Sequence, residues 1–162
     1  MTGKKLSVSG LFAAIIFVLT MFIKIPAATG YVHLGDAAVY LSALIIGPWA
    51  LLAGAIGEGL ADVAGSYVMY LPATVIVKIL LALPFVIFGS KEKYFSKKNC
   101  LLTITAGLVN VGGYFIYDLI INKAYAVVNV PGNIIQSVGS AVIFIVFAVA
   151  LDKAEINKRI KL

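Results

Sequence analysis

Apolar runs at about 6–24, 35–65, 71–89, 101–121 and 131–151 take up most of this 162-residue chain, and they constrain its fold more than any other feature. A helix needs about 20 apolar residues to cross a hydrocarbon core of about 30 Å, so there is room for five or six crossings and none for an extramembrane domain. With 62% hydrophobic and 12% charged residues, the chain lies outside the balance of a soluble domain. The run from Leu6 to Ile23 has the length of a secretory leader. It is followed by no small-residue cleavage site and no polar mature segment, so it is expected to stay as a helix. The single cysteine, Cys100, lies in a lysine-rich loop and offers neither an internal disulfide nor a cysteine metal site. No cofactor is expected.

The basic residues set the topology. They collect at Lys4 and Lys5; at Lys91, Lys93, Lys97 and Lys98; and at Lys153, Lys158, Arg159 and Lys161. The run 35–65 is too long for one crossing and contains Gly47-Pro48, a turn-forming pair. A single crossing there would put the N-terminus and loop 90–100 on opposite sides, whereas two crossings gather all three basic clusters in the cytoplasm. The expectation is therefore an all-α membrane protein: one domain over 1–162, a compact bundle of six transmembrane helices at about 6–24, 35–46, 49–65, 71–89, 101–121 and 131–151. Both termini are then cytoplasmic. The outward loops become 25–34, 66–70 and 122–130, where Pro26, Gly30, Tyr31, Tyr67, Tyr70, Tyr125 and Pro131 cluster. The net charge of +6 is matched to anionic lipid headgroups, and no basic patch interleaved with aromatics suggests nucleic acid.

Four of the seven acidic residues (Asp36, Glu58, Asp62 and Asp118) and Lys78 fall within or at the edge of these apolar segments. An ionised side chain at the bilayer centre costs roughly 2.5–3.5 kcal/mol on the insertion scale, so such groups face a protein interior, find partners or serve a pathway. Helical spacing indicates which of them converge. Glu58 and Asp62 are four apart, beside the small-residue strip Ala50, Gly54, Gly57, Ala61 and Gly65, although the facing of Glu58 stays open. Thr74 and Lys78 are four apart, and Lys78 calls for an acidic partner such as Asp62 or Asp36. Asn110, Tyr114, Tyr117 and Asp118 form one stripe; Asn133, Gln136, Ser137 and Ser140 form another. The only histidine, His33, precedes Gly35 and Asp36, where close backbone approach and a first-turn carboxylate are both favoured. Apolar and aromatic walls carrying a few placed polar groups are the composition of a small-molecule pocket in the outer half of the bundle.

Enzyme signatures are missing. There is no H-E-x-x-H, no G-x-S-x-G and no G-x-x-x-x-G-K-[ST], so no zinc hydrolysis, acyl transfer or ATP hydrolysis is expected of this chain. Tyr117-Asp118 and Leu34-Gly35-Asp36 are similar to motifs of intramembrane aspartyl proteases, but His33 stands where those proteins need glycine and the order along the chain is reversed.

Nearly the whole chain instead resembles the substrate-binding S components of energy-coupling factor (ECF) vitamin transporters. The resemblance is carried by Ser9, Gly10, Ala13 and Ala14, by HLGDAAVYLSALIIGPWALLAGAIGEGLADVAGSY at 33–67, by LPATVIVK at 71–78 and by PGNIIQSVGSA at 131–141. The branch it most resembles is the one assigned to hydroxymethylpyrimidine or pyridoxine uptake. The resemblance implies a binding subunit in a bacterial cell membrane that captures a vitamin from outside. It also implies docking on a transmembrane coupling protein and two ATPase subunits, and release of the cargo inward. Substrate binding would fall to His33, Gly35, Asp36, Asp62, Tyr67, Lys78, Asn110, Tyr114, Asp118, Asn133 and Gln136. A tyrosine, Tyr114 or Tyr67, would stack on the ring. Docking would fall to Ser9, Gly10, Ala13 and Ala14, whose small-xxx-small spacing also suits packing within the bundle. The alternative expectations are a self-sufficient carrier or channel, or an S component for another vitamin: riboflavin, thiamine, folate or pantothenate.

Overall fold

The computed structural model describes residues 3–27 and 31–159. Gly30, expected in the first outward loop, lies outside the described residues. Helix α1 (Gly3–Met21) leads into strands β1 (Lys24–Pro26) and β2 (Tyr31–His33). Helices α2 (Gly35–Ile46), α3 (Trp49–Ala64), α4 (Leu71–Phe88), α5 (Lys97–Ile121), α6 (Lys123–Lys153) and a short α7 (Ile156–Arg159) follow, with a single 3₁₀ turn at Val68–Tyr70 before α4.

The antiparallel hairpin β1–β2, in register Lys24↔His33 and Pro26↔Tyr31, stands where only a loop was expected. A two-stranded ribbon this short is marginal alone. Here it is tied down from outside, since the His33 N–H reaches Gln136 Oε1 on α6 at 3.4 Å. The second correction concerns α6. Pro131 was expected to open this helix after a loop at 122–130, yet the helix begins at Lys123 and carries Pro131 in its interior. The start is made by Asn122, whose side-chain oxygen accepts the Ala124 N–H at 3.0 Å. Proline removes one intrahelical donor, and a 31-residue helix packed along its length tolerates the loss. Ser96 likewise starts α5 four residues ahead of expectation, accepting the Asn99 N–H at 3.2 Å.

Among the described residues, four stretches are long and apolar enough to cross a membrane: Gly3–Met21, Val68–Phe88, Lys97–Ile121 and Lys123–Lys153. At 12 and 16 residues, α2 and α3 span only about 18 and 24 Å. They run in opposite directions from a turn at Gly47, whose positive φ of 59° suits glycine. Lys78 shows this antiparallel course by touching both Asp36, at the start of α2, and Glu58, late in α3. Eleven of the twelve α2 residues are buried, so its short length is met by surrounding protein rather than by lipid. The outer surface is apolar, as at Leu52, Ile56, Leu108 and Ile120, while Asp36, Glu58, Asp62, Lys78 and Asp118 are all buried. That inversion of the soluble pattern is what a hydrocarbon solvent requires.

The two ends of the bundle differ. Asp152 in the last turn of α6 accepts the Tyr94 and Phe95 N–H groups at 2.9 and 2.8 Å, and Asn99 bonds the backbone of Ser90 and Tyr94. Lys91 lies near the Gly47 turn. Because Thr20 packs against Gly35 at the far end, Lys4 and Lys5 also fall on this side. The described residues of all three basic clusters therefore share one end of the bundle, and the hairpin caps the other.

Small residues let α1 and α3 meet. A Cβ added at Gly57 would sit 2.6 Å from the Ala13 carbonyl oxygen and 2.9 Å from the Ile16 Cβ. Gly57→Ala should therefore cost about 1–3 kcal/mol by overpacking. Thermal denaturation in detergent reads this out, and an unchanged midpoint would mean that α1 can shift aside freely.

Candidate functional site

Under the hairpin, α3, α4, α5 and α6 surround a hollow that is partly open to the exterior. The walls are assembled from segments far apart in sequence. From the hairpin come Tyr31 and His33; from α3, Glu58 and Asp62; from the following turn, Tyr67 and Tyr70. Thr74 on α4, Tyr114 and Asp118 on α5, and Asn129, Asn133 and Gln136 on α6 complete the polar lining.

Aromatic rings form one side. Tyr31 and Tyr67 have centroids 4.8 Å apart, and Tyr70 meets Tyr114 edge-on at 6.4 Å. The Tyr31 hydroxyl donates to Asp62 Oδ1 at 2.7 Å. Burial, reinforced by that carboxylate, holds the Tyr31 phenol well above its usual range, so it remains a donor. Thr74 Oγ1 and the Tyr114 hydroxyl share a hydrogen bond of 2.9 Å.

Beneath the cavity lies a buried charged network. Lys78 Nζ is 2.6 Å from Asp36 Oδ1, 3.2 Å from Glu58 Oε2 and 3.0 Å from Asn110 Oδ1. Gln136 Nε2 donates to the other Asp36 oxygen at 2.8 Å, and Asn110 Nδ2 donates to Ser137 Oγ at 3.2 Å. His33 closes the network from the hairpin. Its Nδ1 accepts the Gly35 N–H at 3.1 Å, which leaves the proton on Nε2, 3.4 Å from Glu58 Oε2. Burial pushes the His33 imidazole down to about 3, so the ring is neutral at pH 7. Gly35 is required here because a side chain would strike Thr20 Oγ1 and lie 3.0 Å from Glu58 Oε1.

Of the residues expected to touch a ligand, His33, Asp62, Tyr67, Tyr114, Asp118, Asn133 and Gln136 border the cavity. Gly35, Asp36, Lys78 and Asn110 do not; they build the network under it. Lys78 finds the expected partner Asp36 and adds Glu58, whose facing the sequence left open, in place of Asp62. Tyr31, Tyr70 and Asn129 line the cavity and were not anticipated. Asn129 had a usable signal, since Asn129, Asn133 and Gln136 lie at i, i+4 and i+7 once α6 is allowed to begin before Pro131. Tyr31 shares a strand face with His33, a period-two cue that carries weight only when a strand is considered.

A second, apolar groove runs between α1 and α3, lined by Gly10, Ala13, Ala14 and Phe17 on one side and Leu60, Val63 and Ala64 on the other. Ser9 does not line it; its hydroxyl bonds back to the Lys5 carbonyl at 2.8 Å.

Comparison with known proteins agrees with this architecture. An uncharacterized protein of the gap 3' region from Pyrococcus woesei is 32% identical over 132 residues, which is 78% of this chain and 86% of that one. Residues 1–153 match the family described as ECF-type riboflavin transporter, S component. A bundle of apolar helices enclosing a polar cavity, matched along almost its whole length, thus belongs to the S-component family of ECF-type transporters, as a membrane-embedded substrate-binding subunit and not a catalyst.

Proposed function

We propose that this S component captures a small water-soluble vitamin or precursor with a single nitrogen-containing ring, pyridoxine or hydroxymethylpyrimidine, in the tyrosine-walled cavity. The observation that carries this reading is the placement of a polar, aromatic-lined hollow at the end of the bundle away from all three basic clusters. By the positive-inside rule that end faces outside and both termini are cytoplasmic, with six crossings. Tyr67, Tyr70 or Tyr114 supplies a stacking face. Asp62 or Asp118 receives a ring N–H or amino group, and Asn133 and Gln136 take the hydroxyl arms. Charge-assisted bonds of this kind are stronger than neutral ones, the more so away from water.

Uptake would then need partners. A transmembrane coupling protein docks in the α1–α3 groove, and two ATPase subunits supply the energy, because the chain carries no phosphate-cradling loop. The description of the matched family favours a second reading, in which the ligand is riboflavin.

Calorimetry of the purified chain with pyridoxine, hydroxymethylpyrimidine and riboflavin separates the two. Asp62→Asn should weaken binding of the preferred ligand by about 10- to 100-fold, the value of a hydrogen bond to a charged group. Unaltered affinity in that variant would remove Asp62 from the site. The rival carrier or channel would equilibrate solute across liposomes holding this chain alone, whereas a binding subunit would not.

A further inference from the structure

Two carboxylates of the cavity are each only half satisfied. Asp62, 5% exposed on α3, accepts from Tyr31 at Oδ1 and has the Thr74 hydroxyl, itself bonded to Tyr114, as a neighbouring donor, while its buried Oδ2 makes no hydrogen bond of normal geometry. Asp118, fully buried on α5, accepts from Asn129 at Oδ2 (2.9 Å), and its Oδ1 is likewise without a partner. A buried carboxylate oxygen left without a donor is costly. Two of them, on helices separated by α4 and bordering one hollow, call for donors brought in from outside.

The cations make no hydrogen bond to these oxygens, although Lys78 and Lys24 act on Asp62 through their charge. Lys78 is held under the cavity by Asp36, Glu58 and Asn110. Lys24 stands over the rings of Tyr31 and Tyr67, 4.7 and 5.9 Å from their centroids. His33, neutral, uses Nδ1 for Gly35 and turns Nε2 to Glu58. Among the described residues no lysine or arginine lines the cavity, and no cluster suited to a metal ion is present.

We propose that the cavity selects its cargo by charge: it takes a heteroaromatic ring that brings hydrogen-bond donors to Asp62 and Asp118, neutral or positive overall, and refuses the phosphate ester or carboxylate of the same ring. This deepens the vitamin-binding reading and rests on it. A bound anion would meet unpaired acceptors and like charge, which is how a site rejects a competitor of almost the same shape.

The test measures affinity of the purified full chain for pyridoxamine, the aminopyrimidine alcohol and riboflavin, each beside its own phosphate monoester. The unphosphorylated form of the ring that binds should win by about 100-fold or more. In Asp118→Asn its affinity should drop about 10- to 100-fold while that of the ester does not fall, so the ratio shrinks. Should Asp118→Asn fail to elute and melt as a folded protein, Asp62→Asn replaces it with the same expected outcomes. An ester bound within about tenfold of its parent, or a ratio unmoved by the folded variant, overturns selection by charge and leaves vitamin capture standing. If none of the three rings binds in either form, capture and selection fall together.

Discussion

Replacing Lys78 by methionine should lower folding stability by about 3–5 kcal/mol, the range seen when one member of a buried ion pair is removed. Lys78 is wholly enclosed and touches Asp36, Glu58 and Asn110 within 3.2 Å. Methionine keeps much of the volume but leaves two carboxylates facing each other away from water. Taking 2–4 °C per kcal/mol for a chain of this size, the midpoint in detergent should fall by roughly 6–20 °C. Adding Asp36→Asn to the variant should recover part of the loss, because it removes one of the stranded charges. A midpoint within about 2 °C of the unaltered protein would mean that water reaches the network and that it does not hold the bundle together.

Ala14→Trp should abolish uptake in cells carrying the coupling protein and ATPase subunits, yet leave ligand affinity within about twofold, as expected for distant, uncoupled sites. Ala14 is exposed on α1 in the apolar groove, whereas the cavity is walled by the hairpin and α3 to α6. Ala13 is less suited to the test, since its own carbonyl packs against Gly57. Uptake that survives Ala14→Trp would exclude this groove as the docking face. Loss of binding along with uptake would show instead that the substitution disturbs the α1–α3 contact.

Much of the bundle was legible because apolarity and turn chemistry are local. Gly47-Pro48 split the second run into α2 and α3, and both helices end within a residue of the expected bounds. Pro131 misled for a related reason. Proline marks a helix start only when nothing upstream does so better, and Asn122 with its side-chain cap does. The hairpin was not legible, since three-residue strands carry almost no periodicity and depend on α6 for support.

The division within the polar residues has the same cause. Sequence alone determined that these groups must turn inward, because hydrocarbon cannot solvate them, and it singled out Asp36, Asp62, Lys78 and Asp118 on that ground. Only the tertiary structure decided which of them pair and which stay open. Asp36 and Lys78 meet across 42 residues and are neutralised, while Asp62 and Asp118 border the hollow and each keep one oxygen without a partner. Burial follows from a residue's own transfer energy, whereas partnership depends on how helices distant in sequence are packed.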